Sequence, residues 1–202
     1  MSRNPERRWW VVVAAILVAM SLGLAGCQSH KPIVVDLTYL SPDDEGAAQA
    51  AGKGITVHLS PVADERSNRD TIGRTTVPVL PGSDVITWVR AGLLTLDGNG
   101  FALSLSGSDP VDGYRLRVAT DRVYCRSTGA SLRATVVLSV EYYRNGDLMG
   151  KRQHHGEEMV QDHSLLESTY KFNDRYVLTA LNGALSDVVD EIAATLLELE
   201  AS

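Results

Sequence analysis

The chain holds 202 residues, with 19 lysines and arginines against 25 aspartates and glutamates and a formal net charge of −6. An acidic chain is not built to neutralise phosphate, which excludes nucleic acid as a partner favoured by composition. Two cysteines exclude a disulfide scaffold, and the length suits one domain with a proper core.

The first element is a leader. Arg3, Arg7 and Arg8 stand against a single acid, Glu6, and Trp9 to Gly26 then run without a charge. A positive segment, an apolar segment and a small-residue exit read as a secretory signal over 1–26. An uncharged run of this length also suffices for a membrane helix. Two features favour cleavage: the run loosens at Ser21, Gly23, Ala25 and Gly26, and no basic stop-transfer cluster follows. Leu24-Ala25-Gly26-Cys27 is similar to a bacterial lipobox. In that class the cysteine sulfur takes a diacylglycerol, the chain is cut before it, and the new amine is acylated. A single acyl chain binds a bilayer only marginally, so several on one residue make a lasting anchor. Gln28 stands where aspartate would favour inner-membrane retention, so the expected address is the outer membrane, periplasmic face. Arg7-Arg8 leaves twin-arginine export open beside the general route. Without residues 1–26, which carry three basic and one acidic side chain, 16 basic and 24 acidic remain, a net charge of −8.

Residues 27–54 read as a lipid-anchored tether, with a short strand within 33–40 and a small, polar loop over 41–54. The domain proper is expected over 55–200. Ile55, Val57 and Leu59 alternate with polar residues, as in a half-buried strand over 55–62. Residues 63–83 read as a long loop. Ser83 or Asp84 is placed to cap a helix carrying Val85, Ile86, Val89, Leu93 and Leu96, which Asp97-Gly98-Asn99-Gly100 stops. A strand follows over 101–107. Residues 114–127, 131–144 and 147–160 form a three-strand meander, its second turn the hairpin signal Asn145-Gly146. The stretch 161–172 is ambiguous. Asn173 then caps a terminal helix whose Val177, Leu181, Leu185, Val188, Ile192 and Leu196 recur at helical spacing. The expected fold is α+β: a mixed, largely antiparallel sheet of about five strands with two main helices packed on it.

No catalytic or metal constellation is legible. His154 and His155 are neighbours on a strand and point to opposite faces, so both read as solvated strand polars instead of ligands. His58 and His163 are remote. Ser104, Ser106 and Ser108 lack a nucleophile-elbow pattern. With Cys27 acylated, Cys125 has no disulfide partner and reads as a small buried hydrophobe. Asp187, Asp190, Glu191, Glu198 and Glu200 read as a solvated acidic helix face. The one candidate binding feature is the loop carrying Asp64, Glu65, Arg66 and Arg69, with Asp70 beside them, just after a strand. Such exits often hold ligands, although acids and arginines in loops also pair among themselves. Among the expectations, catalytic residues, metals and cofactors are none, apart from the covalent diacylglycerol and N-acyl chain on Cys27.

In order, the lipobox, "ITVHLSPVADERSNRDTIG", the helix ending "GNGFAL", "YRLRVATDRVYC", "RNGDLMGKRQHH" and the terminal helix resemble the YajG-like family of uncharacterised outer-membrane lipoproteins. The likeness covers roughly residues 27–199 and departs in 161–172. It implies no catalytic residue and carries over only Cys27. "ITVHLSPVADER" is similar to the opening of periplasmic accessory lipoproteins of the curli-secretion and penicillin-binding-protein-activator kind. That likeness implies a small α/β domain working by protein contact. The expectation is a non-enzymatic accessory or assembly factor, held at the membrane by its lipid and bound to an envelope protein. The rival is a small-molecule or lipid-binding auxiliary lipoprotein of an envelope transporter, which needs an apolar cavity between sheet and helix. A hydrolase is the weaker third reading.

Overall fold

The structure, a computed structural model, describes residues 31–40, 54–105, 113–161 and 172–202. The signal segment, Leu24 to Cys27, nearly all of the 41–54 loop, Ser106, Ser108 and His163 lie outside the described residues. Pro32 to Ser202 make one compact unit. The described core, from Val35 to Leu196, lies wholly within it.

The fold is α+β, a mixed sheet with two main helices. The strands are β1 (Ile33–Val35), β2 (Thr56–Leu59), β3 (Ala63–Asp64), β4 (Gly73–Arg74), β5 (Pro78–Pro81), β6 (Ala102–Ser104), β7 (Tyr114–Thr128), β8 (Ser131–Arg144) and β9 (Asp147–Gln161). The sheet thus has nine strands among the described residues, and the expectation of about five is corrected. The surplus lies mainly in 63–83, expected as a loop, which contributes β3, β4 and β5. Strands this short show no periodicity. β5 pairs with β4 and β1, while β3 and β4 form because a long neighbour offers unpaired backbone groups that must be satisfied.

That neighbour is β7. On one side it pairs antiparallel with β8, and β8 with β9. Along its other edge β2, β3 and β4 dock in turn, all parallel: Val57 opposite Tyr114, Ala63 opposite Ala119, Gly73 opposite Cys125. Then β6 adds outside β2, β5 outside β4, and β1 outside β5. Five of these eight pairings are parallel, so the sheet is antiparallel only in its long ladders and in the short β4–β5 pair. Gly73, at φ 150°, lies against Cys125, where a Cβ would overlap the Cys125 backbone.

Two bulges decide which side chains face the core. Thr120 pairs with Leu138 but Arg122 with Val137, which leaves Asp121 without an opposite residue. The inward parity of β7 therefore changes, and Tyr114, Leu116 and Val118 are buried before the bulge, Val123 and Cys125 after it. In β9, Leu148 pairs with Tyr143 and Gly150 with Tyr142, so Met149 is extra. Asn145 (φ 53°) and Gly146 (φ 88°) make the tight turn between β8 and β9, the left-handed pair that a two-residue hairpin requires.

Helix α1 (Val85–Leu93) continues as a 3-10 turn over Leu94–Asp97. Asp84 caps it by accepting from the Thr87 N–H at 2.8 Å. Ser83 instead bonds the Leu37 backbone. Helix α2 (Asp174–Glu200) is capped by Asn173, which accepts from the Tyr176 N–H at 3.1 Å. Its buried stripe of Val177, Leu181, Leu185, Val188, Ile192 and Leu196 lies against the sheet, each side chain contributing about 2 kcal/mol by removal from water. Trp88 Nε1 donates to Asn182 Oδ1 at 2.9 Å, and Asn182 Nδ2 to the Thr38 carbonyl at 3.1 Å. A buried asparagine thus joins both helices to the segment after β1. The helix approaches β9 most closely at Gly156, where a Cβ would overlap the Ala184 carbonyl.

Candidate functional site

The predicted loop residues gather where β3 meets the β7 bulge. Asp64 stands opposite Thr120, and Arg66 Nε and Nη2 each donate to its carboxylate at 2.9 Å. The Arg66 N–H also donates to Asp64 Oδ1 at 3.2 Å, and Arg69 Nε lies 3.5 Å from Oδ2. Hydrogen bonds from Arg66 hold the Asp64 carboxyl below its ordinary range. The Arg66 side chain is 6% exposed, so three of the four predicted residues tie the loop to itself. Asp70 bonds Asn68 through its N–H, at 3.0 Å from Oδ1. Glu65 is held by its backbone, whose N–H donates to the Thr120 carbonyl at 3.0 Å, and it reaches the neighbouring groove.

That groove, of about 330 Å³, lies on the sheet face away from the helices. Ala63, Ala119 and Ser139 stand opposite one another across three strands and form a small-residue floor. Glu65, Arg117, Glu141 and Lys151 form a charged rim. The rim is already organised. Lys151 Nζ lies 3.2 Å from Glu141, and Tyr143 donates to Glu141 at 2.9 Å. These bonds, Tyr143 first, hold the Glu141 carboxyl below its usual range. The Arg115 and Arg117 guanidiniums each sit 4.9 Å from the Tyr143 ring centre, a cation–π geometry. The bulged Asp121 accepts from Ser139 at 2.6 Å and from Gln153 at 2.8 Å, tying three strands together. The arrangement offers a fixed set of donors and acceptors beside small side chains. It has no nucleophile with a base and an orienting group.

The structure corrects the reading of His154 as a solvated strand polar. It is 4% exposed. The Tyr142 hydroxyl lies 2.7 Å from its Nε2 and Glu191 Oε2 is 3.3 Å from its Nδ1. The Met149 bulge shifts β9 by one residue and turns His154 inward, opposite Leu138. Without it, Gln153 would stand there. Burial lowers the His154 pKa against the opposing pull of Glu191, and burial raises that of Tyr142. Tyr142 is fully buried and only Glu191 meets solvent, so the chain of bonds anchors helix to sheet. His155 points outward as expected.

The acidic helix face is exposed as expected. Four of its five carboxylates also meet the sheet. Glu191 accepts from the His155 N–H at 3.2 Å, and Asp187 from the Glu157 N–H. Glu198 meets Arg152 at 2.8 Å, and Glu200 meets Arg144 at 3.2 Å. The carboxylates cap N–H groups that the edge strand β9 would otherwise leave open. Burial raises the pKa of both Asp187 and Asp190. Cys125 is a free, fully buried thiol, its pKa pushed up to about 12 by desolvation. Among the described residues no His/Cys/Asp/Glu group is placed to hold a metal, and no helix is long and apolar enough to cross a membrane.

No protein-family model matches the sequence, and no curated protein matches it. Among solved structures, the chain is similar to protein XCC0632 of Xanthomonas campestris, of the family DUF330. The TM-score is 0.53 at 13% identity, over 83% of this chain and 96% of that one. At that identity the likeness shows a shared fold. A minor lipoprotein of Acinetobacter baumannii (TM-score 0.41, 15% identity, 71% of this chain and 92% of that one) also matches. So does lipoprotein GNA1162 of Neisseria meningitidis (0.35, 13%, 69% and 99%). Neither likeness is strong enough to carry an argument.

Proposed function

We propose that the protein is a lipid-anchored envelope lipoprotein of the YajG-like kind. It presents one α+β domain to the periplasm from the outer membrane and acts by protein contact as an accessory or assembly factor. The observation that carries this reading is Leu24-Ala25-Gly26-Cys27, in which Cys27 directly follows the uncharged run Trp9 to Gly26. Acylation of Cys27 supplies the location. The open sheet face supplies the contacts, with Glu65, Arg117, Glu141 and Lys151 around the small-residue groove. On that rim Arg117, Glu141 and Lys151 are already held by one another or by Tyr143 and lose little entropy on docking a partner, which suits a contact surface. The space between sheet and helix α2 is filled by core side chains such as Leu138, Leu181 and Val188, all fully buried. That packing supports contact over ligand storage.

The test is mass spectrometry of the N-terminal peptide from membranes, together with fractionation of Cys27→Ala. The expected result is a triacylated Cys27 in the parent and a folded, mislocalised variant. An unmodified Cys27, or a variant that still fractionates with the outer membrane, overturns the anchor. A pull-down of the acylated protein from gently solubilised membranes then tests the contact reading. One reproducible envelope partner, lost on Glu65→Lys with Arg117→Glu, is expected.

A further inference from the structure

We propose that the end of the sheet where the tether enters is a binding surface for anionic phospholipid, built on a row of three arginines. Arg74 of β4 stands opposite Arg126 of β7, and Arg126 opposite Arg133 of β8. All three are exposed and lie on the face away from the helices. Neighbouring strands are about 4.8 Å apart, so the row spans about 10 Å. Like charges directly opposite one another weaken a sheet. Only Arg133 has a carboxylate partner among the described residues, the half-exposed Glu157 at 3.8 Å. The row ends on Met159, opposite Arg133 and 51% exposed. Tyr124, 40% exposed, lies two residues before Arg126 on the same face. Cations flanked by an aromatic and a flexible apolar side chain suit a phospholipid interface.

The path of the chain supports this choice of partner. Ile33 pairs with Val79, Val79 with Gly73, and Gly73 with Cys125, so the chain enters the sheet one residue from the level of the arginine row. Only Gln28 to Pro32 separate Cys27 from β1, at most about 18 Å of extended chain. At the opposite end the charges are paired: Glu200, which bonds Tyr114 at 3.0 Å where β7 begins, meets Arg144 at 3.2 Å, and Glu198, two residues before it, meets Arg152 at 2.8 Å. The chain as a whole is acidic, so an anionic membrane repels most of it and attracts this end. The row therefore sets the orientation of the domain on the bilayer. That orienting role rests on the proposed anchor at Cys27, while the phospholipid contact itself does not.

The test uses residues 28–202, which hold the whole described core and lack Cys27, so its outcome is independent of acylation. Co-sedimentation is measured with vesicles of phosphatidylglycerol in phosphatidylethanolamine, and with phosphatidylcholine alone. Binding to the anionic vesicles that falls with salt, and none to phosphatidylcholine, is expected. Each arginine near an anionic surface contributes about fivefold, so Arg74→Ala, Arg126→Ala and Arg133→Ala together lower partitioning about a hundredfold. Replacing the same three by lysine retains most of it. Arg90→Ala, Arg144→Ala and Arg152→Ala remove the same charge elsewhere and leave most of the binding. Unchanged binding in the first set, or equal loss in both alanine sets, overturns the proposal. So does a first set that binds vesicles normally but dissociates an oligomer in sedimentation velocity, which assigns the surface to a second copy of the chain.

Discussion

Replacing Gly156 by alanine tests how helix α2 is seated on the sheet. The added Cβ overlaps the Ala184 carbonyl oxygen and crowds Val188, whose Cγ2 would be 2.9 Å away. The obstacle is helix backbone, so no rotamer change relieves it, and the helix must lift. A lift of about 1 Å forfeits up to half of the dispersion well across the interface. That interface includes Leu181, Leu185, Val188 and Ile192, all fully buried. Overpacking of this kind costs about 1–3 kcal/mol, and a backbone obstacle places Gly156→Ala near the top, about 3 kcal/mol. For a domain of this size that lowers Tm by about 6–12 °C. Gly150 is the control. It lies on the same strand, and a Cβ there meets nothing within 4 Å, so Gly150→Ala is expected within about 0.5 kcal/mol of the parent. Urea unfolding of residues 28–202, followed by circular dichroism and by the fluorescence of the buried Trp88, measures both. A Gly156→Ala midpoint equal to that of Gly150→Ala, at unchanged m, refutes this account of the packing.

Other consequences are as direct. Tyr142→Phe leaves the buried His154 Nε2 without its 2.7 Å partner and is expected to cost about 1–3 kcal/mol in the same unfolding assay. His154 has a lowered pKa in the fold, so the unfolded chain binds the proton more readily. Its contribution is fully present above about pH 6.5 and is lost as pH falls toward the folded value. Urea titrations between about pH 5 and 7 are expected to show a falling stability that His154→Gln flattens. The raised pKa values of Asp187 and Asp190 give the opposite slope as pH falls, so the His154 contribution is read as the difference between the parent and His154→Gln. Cys125, fully buried with its thiol pushed up to about 12, is expected to resist maleimide in the native protein and to react once urea unfolds it. Asp84→Ala removes the acceptor for the Thr87 N–H and is expected to lower stability by about 1 kcal/mol by the same urea measurement, with Asp84→Ser recovering most of it.

Local chemistry wrote much of this structure into the sequence. Asn173 and Asp84 cap their helices because each side chain reaches an N–H three residues on. The long strands follow from alternation, and the turn at Asn145-Gly146 from two residues that tolerate positive φ. The burial of Cys125 followed from its place in an alternating run. Tertiary structure alone decided the rest. β3 and β4 exist because β7 has an open edge, β5 because β4 and β1 flank it, and strands of two to four residues have too little period to read. The inward turn of His154 depends on one extra residue at Met149, and a register shift leaves no mark in hydrophobic patterning. The carboxylates of Asp187 and Glu191 resembled any solvated helix face, because the N–H groups they cap belong to a strand some 30 residues away. The arginine row has the same origin: Arg74, Arg126 and Arg133 are ordinary surface residues along the chain, and only strand register sets them side by side. Sequence determines what each segment can form by itself, while pairing partners, which side chains meet, and the charge pattern of a surface arise from contacts between residues far apart along the chain.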